Sequence, residues 1–155
     1  MTMDVDVDIL EKPVDIKLLL QKIKNLTPEK SPLVLIAEDD DLSRGLLVQS
    51  ILRAGWKSTE AANGKEVITL LKSTKPNIIL LDIMMPEMDG FQVIEEIQKH
   101  EKWRQIPIIV ITAKELTRDE QTLLAKYSKT LLLKKSYTTK NLISAVIQHI
   151  KRESE

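Results

Sequence analysis

From residue 33 onward the chain alternates short apolar runs with longer stretches in which apolar residues recur every three or four positions. That alternation is the pattern of strands joined by crossover helices. LVLIA (33–37) predicts a first strand, and KSTEA (57–61), short and polar, predicts an edge strand. NIILL (77–81) and PIIVIT (107–112) are apolar without alternation, as expected of parallel strands covered on both faces. TLLL (130–133) predicts a fifth strand. Between these runs, DLSRGLLVQSILRAG carries Leu42, Leu46, Leu47, Ile51 and Leu52 at helical spacing and ends at Gly55. A second helix begins near Asn63 and Gly64, a third carries Phe91, Ile94 and Ile97 on one face, a fourth lies around RDEQTLLAKY, and a fifth runs from about Thr138 to Lys151.

Right-handed crossovers and buried central strands predict an α/β fold. It is a doubly wound five-stranded parallel sheet with helices on both faces, in the 2-1-3-4-5 order of flavodoxin-like topology. The expected organisation is an N-terminal segment (1–31) with an amphipathic helix and the linker TPEKSP, a domain at 32–152 and a short tail at 153–155. Ligands of such sheets bind beyond the carboxyl ends of the strands. Those ends carry Glu38-Asp39-Asp40-Asp41, Asp82, Thr112-Ala113 and Lys134-Lys135.

Each group alone has an ordinary explanation. An Asp closing a strand usually caps or turns, an acidic run suits a helix N-terminus, and a lysine pair is usually solvated. Their coincidence on one edge of one sheet favours a site. Neighbouring strands lie about 4.8 Å apart, so carboxylates ending the first and third strands meet, and like charges that close need a cation. Hard oxygens from Glu38, Asp39 and Asp82 suit Mg²⁺, and a partly hydrated divalent ion is what phosphoryl transfer uses. Lys135 and Thr112 then read as phosphate partners.

Composition narrows the classes. Lys plus Arg (23) balance Asp plus Glu (23), so no net field draws the chain to nucleic acid or to an anionic membrane. Aromatics make up 3% of the chain and are scattered, leaving no stacking platform for single-stranded nucleic acid. With no Cys, thiolate nucleophiles, disulfides and Cys-ligated zinc are excluded. No apolar run nears the roughly 18 residues of a membrane span and the acidic start is not a signal peptide, so the expected location is cytoplasmic. His100 and His149 fall on helices away from the strand ends and read as surface residues.

VLIAEDDDLSR, IILLDIMMPEMDGFQVIEEI, IPIIVITAK and LLLKKSY, in that order and spacing, resemble the receiver domains of two-component response regulators, of which the bacterial chemotaxis regulator is the simplest. The resemblance covers about residues 32–152. It implies that Asp82 accepts a phosphoryl group from a phosphohistidine of a histidine kinase or histidine phosphotransfer protein. It further implies Mg²⁺ held by Asp39, Asp82, the carbonyl of Met84 and, through water, Glu38. Thr112 and Lys135 would face the phosphoryl group, and Asp89 would cap the helix after the MPEMDG loop. The implied activity is self-phosphorylation and dephosphorylation at Asp82 rather than turnover of a separate substrate.

The chain departs from the family in two places. Lys135 is followed by Ser136 where the family has Pro, which leaves Lys134 as an alternative, and Leu132 stands where the family often has an aromatic switch residue. The competing readings are a receiver-like interaction scaffold with weak or uncoupled phosphorylation, and a haloacid-dehalogenase-like phosphatase. The phosphatase would need an acid where Met84 stands. KPVDIKLLLQKIKNL (12–26) can be laid over KSYTTKNLISAVIQHI (135–150), Lys12 over Lys135 and Leu19 over Leu142. This suggests the end of a preceding receiver in a tandem such as a hybrid histidine kinase, the plain alternative being an ordinary amphipathic helix. Unless that helix docks on the domain, a neighbouring receiver or another copy, Leu18, Leu19 and Ile23 would be exposed.

Overall fold

The computed structural model describes residues 7–112 and 116–126. Along the chain run β1 (Val7–Glu11), α1 (Ile16–Leu26), β2 (Leu33–Ala37), α2 (Asp41–Arg53), β3 (Lys57–Ala61), α3 (Gly64–Ser73), β4 (Ile78–Asp82), α4 (Gly90–Gln98), a 3-10 turn (Trp103–Gln105), β5 (Ile108–Thr112) and α5 (Arg118–Lys126). The strands form one five-stranded sheet in the order β3-β2-β4-β5-β1, with every neighbouring pair parallel. Successive side chains of a strand point to opposite faces, so an unbroken apolar strand feeds two cores. Leu35, Ile79, Leu81, Ile108 and Val110 pack with Val67, Val93, Ile94 and Ile97 of α3 and α4. On the other face Val34, Ile36, Ile78, Leu80, Ile109 and Ile111 pack with Leu19, Ile23, Leu47 and Ile51 of α1 and α2. The fold is the expected doubly wound, flavodoxin-like one.

One detail of the expected strand order is corrected. The four strands read between residues 33 and 112 take their expected places, but the fifth place, expected for residues 130–133, is held by β1. Val7 pairs with Ile108, Ile9 with Val110 and Glu11 with Thr112. The polar residues that hid this strand in the sequence are satisfied locally. Asp8 is buried and accepts from Lys22 Nζ of α1 at 2.5 Å, while Ile9 and Leu10 enter opposite cores. Residues 130–133, the helix expected at about 138–151, and Lys134, Lys135, Leu132 and His149 lie outside the described residues.

Helix α1 starts at Asp15, whose side chain accepts from the Leu18 N–H at 3.2 Å. It docks on the sheet, so Leu19 and Ile23 are fully buried and Leu18 is half-buried rather than exposed. In α2 only Leu47 and Ile51 are buried. Leu42, Leu46 and Leu52, which share its apolar spacing, face outward. Among the described residues no helix is long and apolar enough to cross a membrane.

Candidate functional site

Four adjacent parallel strands run out at the same rim: β5 ends in Thr112 and β4 in Asp82, while Lys12 directly follows β1 and Glu38 directly follows β2. Register fixes this, because Glu11 pairs with Thr112, Ile111 with Asp82, and Leu81 with Ala37. The Lys12 N–H donates to the Thr112 carbonyl at 3.2 Å, continuing the ladder one residue past the strand. The Glu38 N–H donates to the Ala61 carbonyl at 3.0 Å on the other side. The backbone thus aims three charged side chains at a common centre, with Thr112 at the end of the strand between β1 and β4.

Lys12 Nζ donates to Glu38 Oε1 at 2.7 Å and to Asp82 Oδ2 at 3.2 Å. Asp82 Oδ1 accepts from the Met84 N–H at 3.0 Å, which fixes the carboxylate against the loop after β4. Asp82 and Glu38 are buried and Thr112 is 2% exposed; Asp39 stands at the exposed rim. Burial opposes the charge on Lys12, yet the hydrogen bond to Glu38 and the charges of Asp82 and Glu38 outweigh it and hold the ammonium above the ordinary lysine range. Burial, and then the neighbouring Asp82 carboxylate, push Glu38 above the usual carboxylate range, with Lys12 pulling the other way. Asp39 is raised too, by desolvation and then by Glu38.

Glu38 Oε2 is buried and has no hydrogen-bond partner among the described residues. A buried carboxylate oxygen facing a second carboxylate is costly unless a proton or a cation lies between them. Glu38, Asp39 and Asp82 each offer an oxygen, all within 4.8 Å of one another. This hard, all-oxygen donor set on an open rim fits Mg²⁺, which takes few protein ligands and keeps several waters.

The loops hold the centre in shape. Asp40 caps α2, accepting from the Ser43 N–H at 2.8 Å, so the acidic run after β2 divides between the cap and the cluster. Asp89 caps α4 in a reciprocal box with Gln92. At Gly90 an added Cβ would lie 2.7 Å from Ile83 Cα, so the absence of a side chain lets α4 start directly against the end of β4. Met84 is exposed and Met85 is buried.

The structure brings together Glu38, Asp39 and Asp82, and places Thr112 at the end of the strand next to that of Asp82. Lys135 lies outside the described residues, and Lys12 stands beside Asp82 where a lysine was expected. Two contributors were not read as site residues in the sequence. Lys12 is one, although its overlay on Lys135 was the available signal. Arg44 is the other: its guanidinium donates to the Glu38 carbonyl at 2.8 Å and pairs with Asp41 at 2.6 Å and Glu60 at 3.1 Å, tying the ends of β2 and β3 to α2. His100 is away from the centre, stacked on Trp103 with ring centroids 3.9 Å apart.

Residues 34–147 match the family model of the response regulator receiver domain. The transcriptional regulatory protein AfsQ1 of Streptomyces coelicolor is 40% identical over 83 residues, covering 54% of this chain and 36% of that protein. The sensor histidine kinase CheAY of Helicobacter pylori is 29% identical over 147 residues, covering 92% of this chain and 18% of that protein. This chain therefore spans about a third or less of the length of these curated relatives. The crystal structure of the N-terminal domain of a response regulator receiver protein from Methanoculleus marisnigri superposes with a TM-score of 0.59 at 31% identity, covering 77% of this chain and 95% of that one.

Proposed function

Since this chain belongs to the response regulator receiver family, we propose that Asp82 is its phosphoacceptor, taking a phosphoryl group from a phosphohistidine of a histidine kinase or histidine phosphotransfer protein. The observation that carries this reading is the centre formed by Lys12, Asp82 and Glu38, with one buried carboxylate oxygen of Glu38 left for a cation. An Asp82 carboxylate oxygen attacks phosphorus, the P–N bond breaks, and its electron pair stays on the departing imidazole. The product is an acyl phosphate on Asp82. Mg²⁺, held by Glu38, Asp39, Asp82 and the Met84 carbonyl, would neutralise charge on the phosphoryl oxygens.

Lys12 has two tasks in this scheme. Before transfer its ammonium compensates Asp82 and Glu38, and after transfer it pairs with a phosphoryl oxygen. Thr112, at the end of the neighbouring strand, offers its hydroxyl to another phosphoryl oxygen. The signal then passes through protein contacts.

Incubation with Mg²⁺ and acetyl phosphate or beryllofluoride tests this. Incorporation that needs Mg²⁺ and disappears in Asp82→Ala is the expected result. No incorporation at saturating reagent would instead make the chain a receiver-like interaction scaffold.

A further inference from the structure

The three carboxylates of the centre are not held in the same way. Asp82 is fixed by the Met84 N–H and by Lys12, and Glu38 by Lys12. Asp39 stands at the exposed rim, so its direction depends on the backbone that carries it. That backbone lies between two regular elements. The last bond tying β2 to β3 is the Glu38 N–H to the Ala61 carbonyl, and α2 begins only at Asp41, after its cap Asp40. The peptide joining Glu38 to Asp39 falls in the gap, and its carbonyl belongs to Glu38.

That carbonyl accepts from Arg44 Nη1 at 2.8 Å. Arg44 sits at the head of α2, where its own N–H closes the first helical bond to the Asp40 carbonyl at 2.9 Å. The rest of its guanidinium is anchored on two further elements. Nη2 donates to Asp41 Oδ1 at 2.6 Å in α2, and Nε donates to Glu60 Oε1 at 3.1 Å on β3. A guanidinium is a rigid planar fork, so fixing two of its nitrogens fixes where the third points. Asp41 and Glu60 also satisfy the cation away from the oxygens of Glu38, Asp39 and Asp82, which stay available to a metal ion.

We propose that Arg44 is a positioning residue for the metal centre: by clamping the Glu38 carbonyl it holds the Glu38–Asp39 peptide in the orientation that brings the Asp39 carboxylate to Glu38 and Asp82. Without the clamp that peptide can rotate, and rotation turns the Cα–Cβ bond of Asp39 away from the other two carboxylates. The clamp is a property of the metal-free chain, whereas its use for Mg²⁺ rests on the function proposed above.

Two measurements test this in the full-length chain. In ¹⁵N relaxation of metal-free protein, the order parameter of the Asp39 amide is expected to fall from about 0.85, the value of rigid backbone, to below about 0.6 in Arg44→Met, with Leu35 and Ile79 unchanged. An Asp39 amide as ordered in the variant as in the native chain overturns the proposal. In an NMR titration, Mg²⁺ affinity is expected to fall about tenfold in Arg44→Met, the effect of removing a group that orients a metal ligand. Arg44→Lys keeps the charge without the fork and is expected to lose nearly as much. Full affinity in Arg44→Lys would assign the effect to charge alone and overturn positioning.

Thermal melts followed at buried Trp56 show whether Arg44→Met folds. If it does not, Glu60→Ala takes its place, because Glu60 is exposed and its loss frees one anchor of the guanidinium. A smaller loss of the same kind, in Asp39 order and in Mg²⁺ affinity, is expected, and no change in either would overturn the clamp. A native chain that binds no Mg²⁺ would fault the proposed function, and the order of the Asp39 amide would still decide the clamp.

Discussion

Glu38 carries the electrostatic cost of the site. Its folded-state pKa lies above the unfolded value, chiefly through burial, so the folded protein binds that proton more tightly than the unfolded chain does. The contribution of this group therefore favours the fold in acid and is lost as pH rises through the folded pKa. In metal-free protein at neutral pH, Glu38→Gln is expected to raise stability by about 0.5–2 kcal/mol, and the gain should vanish as the pH falls and the native Glu38 takes its proton. Mg²⁺ bound as proposed would compete with that proton, so its stabilisation of the native chain should grow with pH and be small in Glu38→Gln. Thermal melts with and without Mg²⁺ at several pH values check both. A variant less stable than the native chain at neutral pH would show that Lys12 already compensates Glu38 in full.

At the scale of elements, the edge unit of β1 and α1 contains a buried ion pair, Asp8 with Lys22. Lys22→Met removes the ammonium that Asp8 pairs with in the sheet's edge and is expected to cost about 3–5 kcal/mol, whereas Asp8→Leu with Lys22→Met should recover most of it. Urea melts of the two variants test this, and equal losses in both would assign the effect to packing. The MPEMDG loop makes a second demand. Gly90→Ala sets a methyl against the backbone of Ile83 and should destabilise by about 1–3 kcal/mol, while weakening Mg²⁺ binding because the end of β4 must shift.

The elements legible in the sequence were those whose reason lay within their own residues. LVLIA, NIILL and PIIVIT announced themselves as unbroken apolar runs and Asn63 as the start of a helix, whereas the cap at Asp89 came with the family resemblance. β1 was not legible, because Val-Asp-Ile-Leu-Glu makes a strand only with Lys22 on α1 and β5 beside it. Lys12 followed it out of reach, since its nearness to Asp82 depends on β1 pairing with β5. The apolar spacing of α2 overstated its buried face, as Leu42, Leu46 and Leu52 point outward.

Those outward leucines matter for the molecule as a whole. Leu46 is 57% exposed and, with Leu47, Ile16 and Val14, lines a cavity of about 610 Å³ that reaches Lys12 and Glu38 at the site's rim. Under the proposed function a protein donor brings its phosphoimidazole to Asp82, so its surface has to rest on a rim of the site, and among the described residues an apolar rim lies here between α1 and α2. A small donor such as acetyl phosphate needs no such surface. Leu46→Asp should therefore slow phosphoryl transfer from a phosphohistidine protein by about tenfold, the effect of losing ~1.4 kcal/mol of docking contact, and leave acetyl phosphate labelling unchanged. Because Leu46 is exposed, the fold should tolerate the change, and an unaltered melting temperature is the control. Equal slowing with both donors would mean that the substitution disturbs the carboxylate centre, and no slowing with either would place the donor on another face.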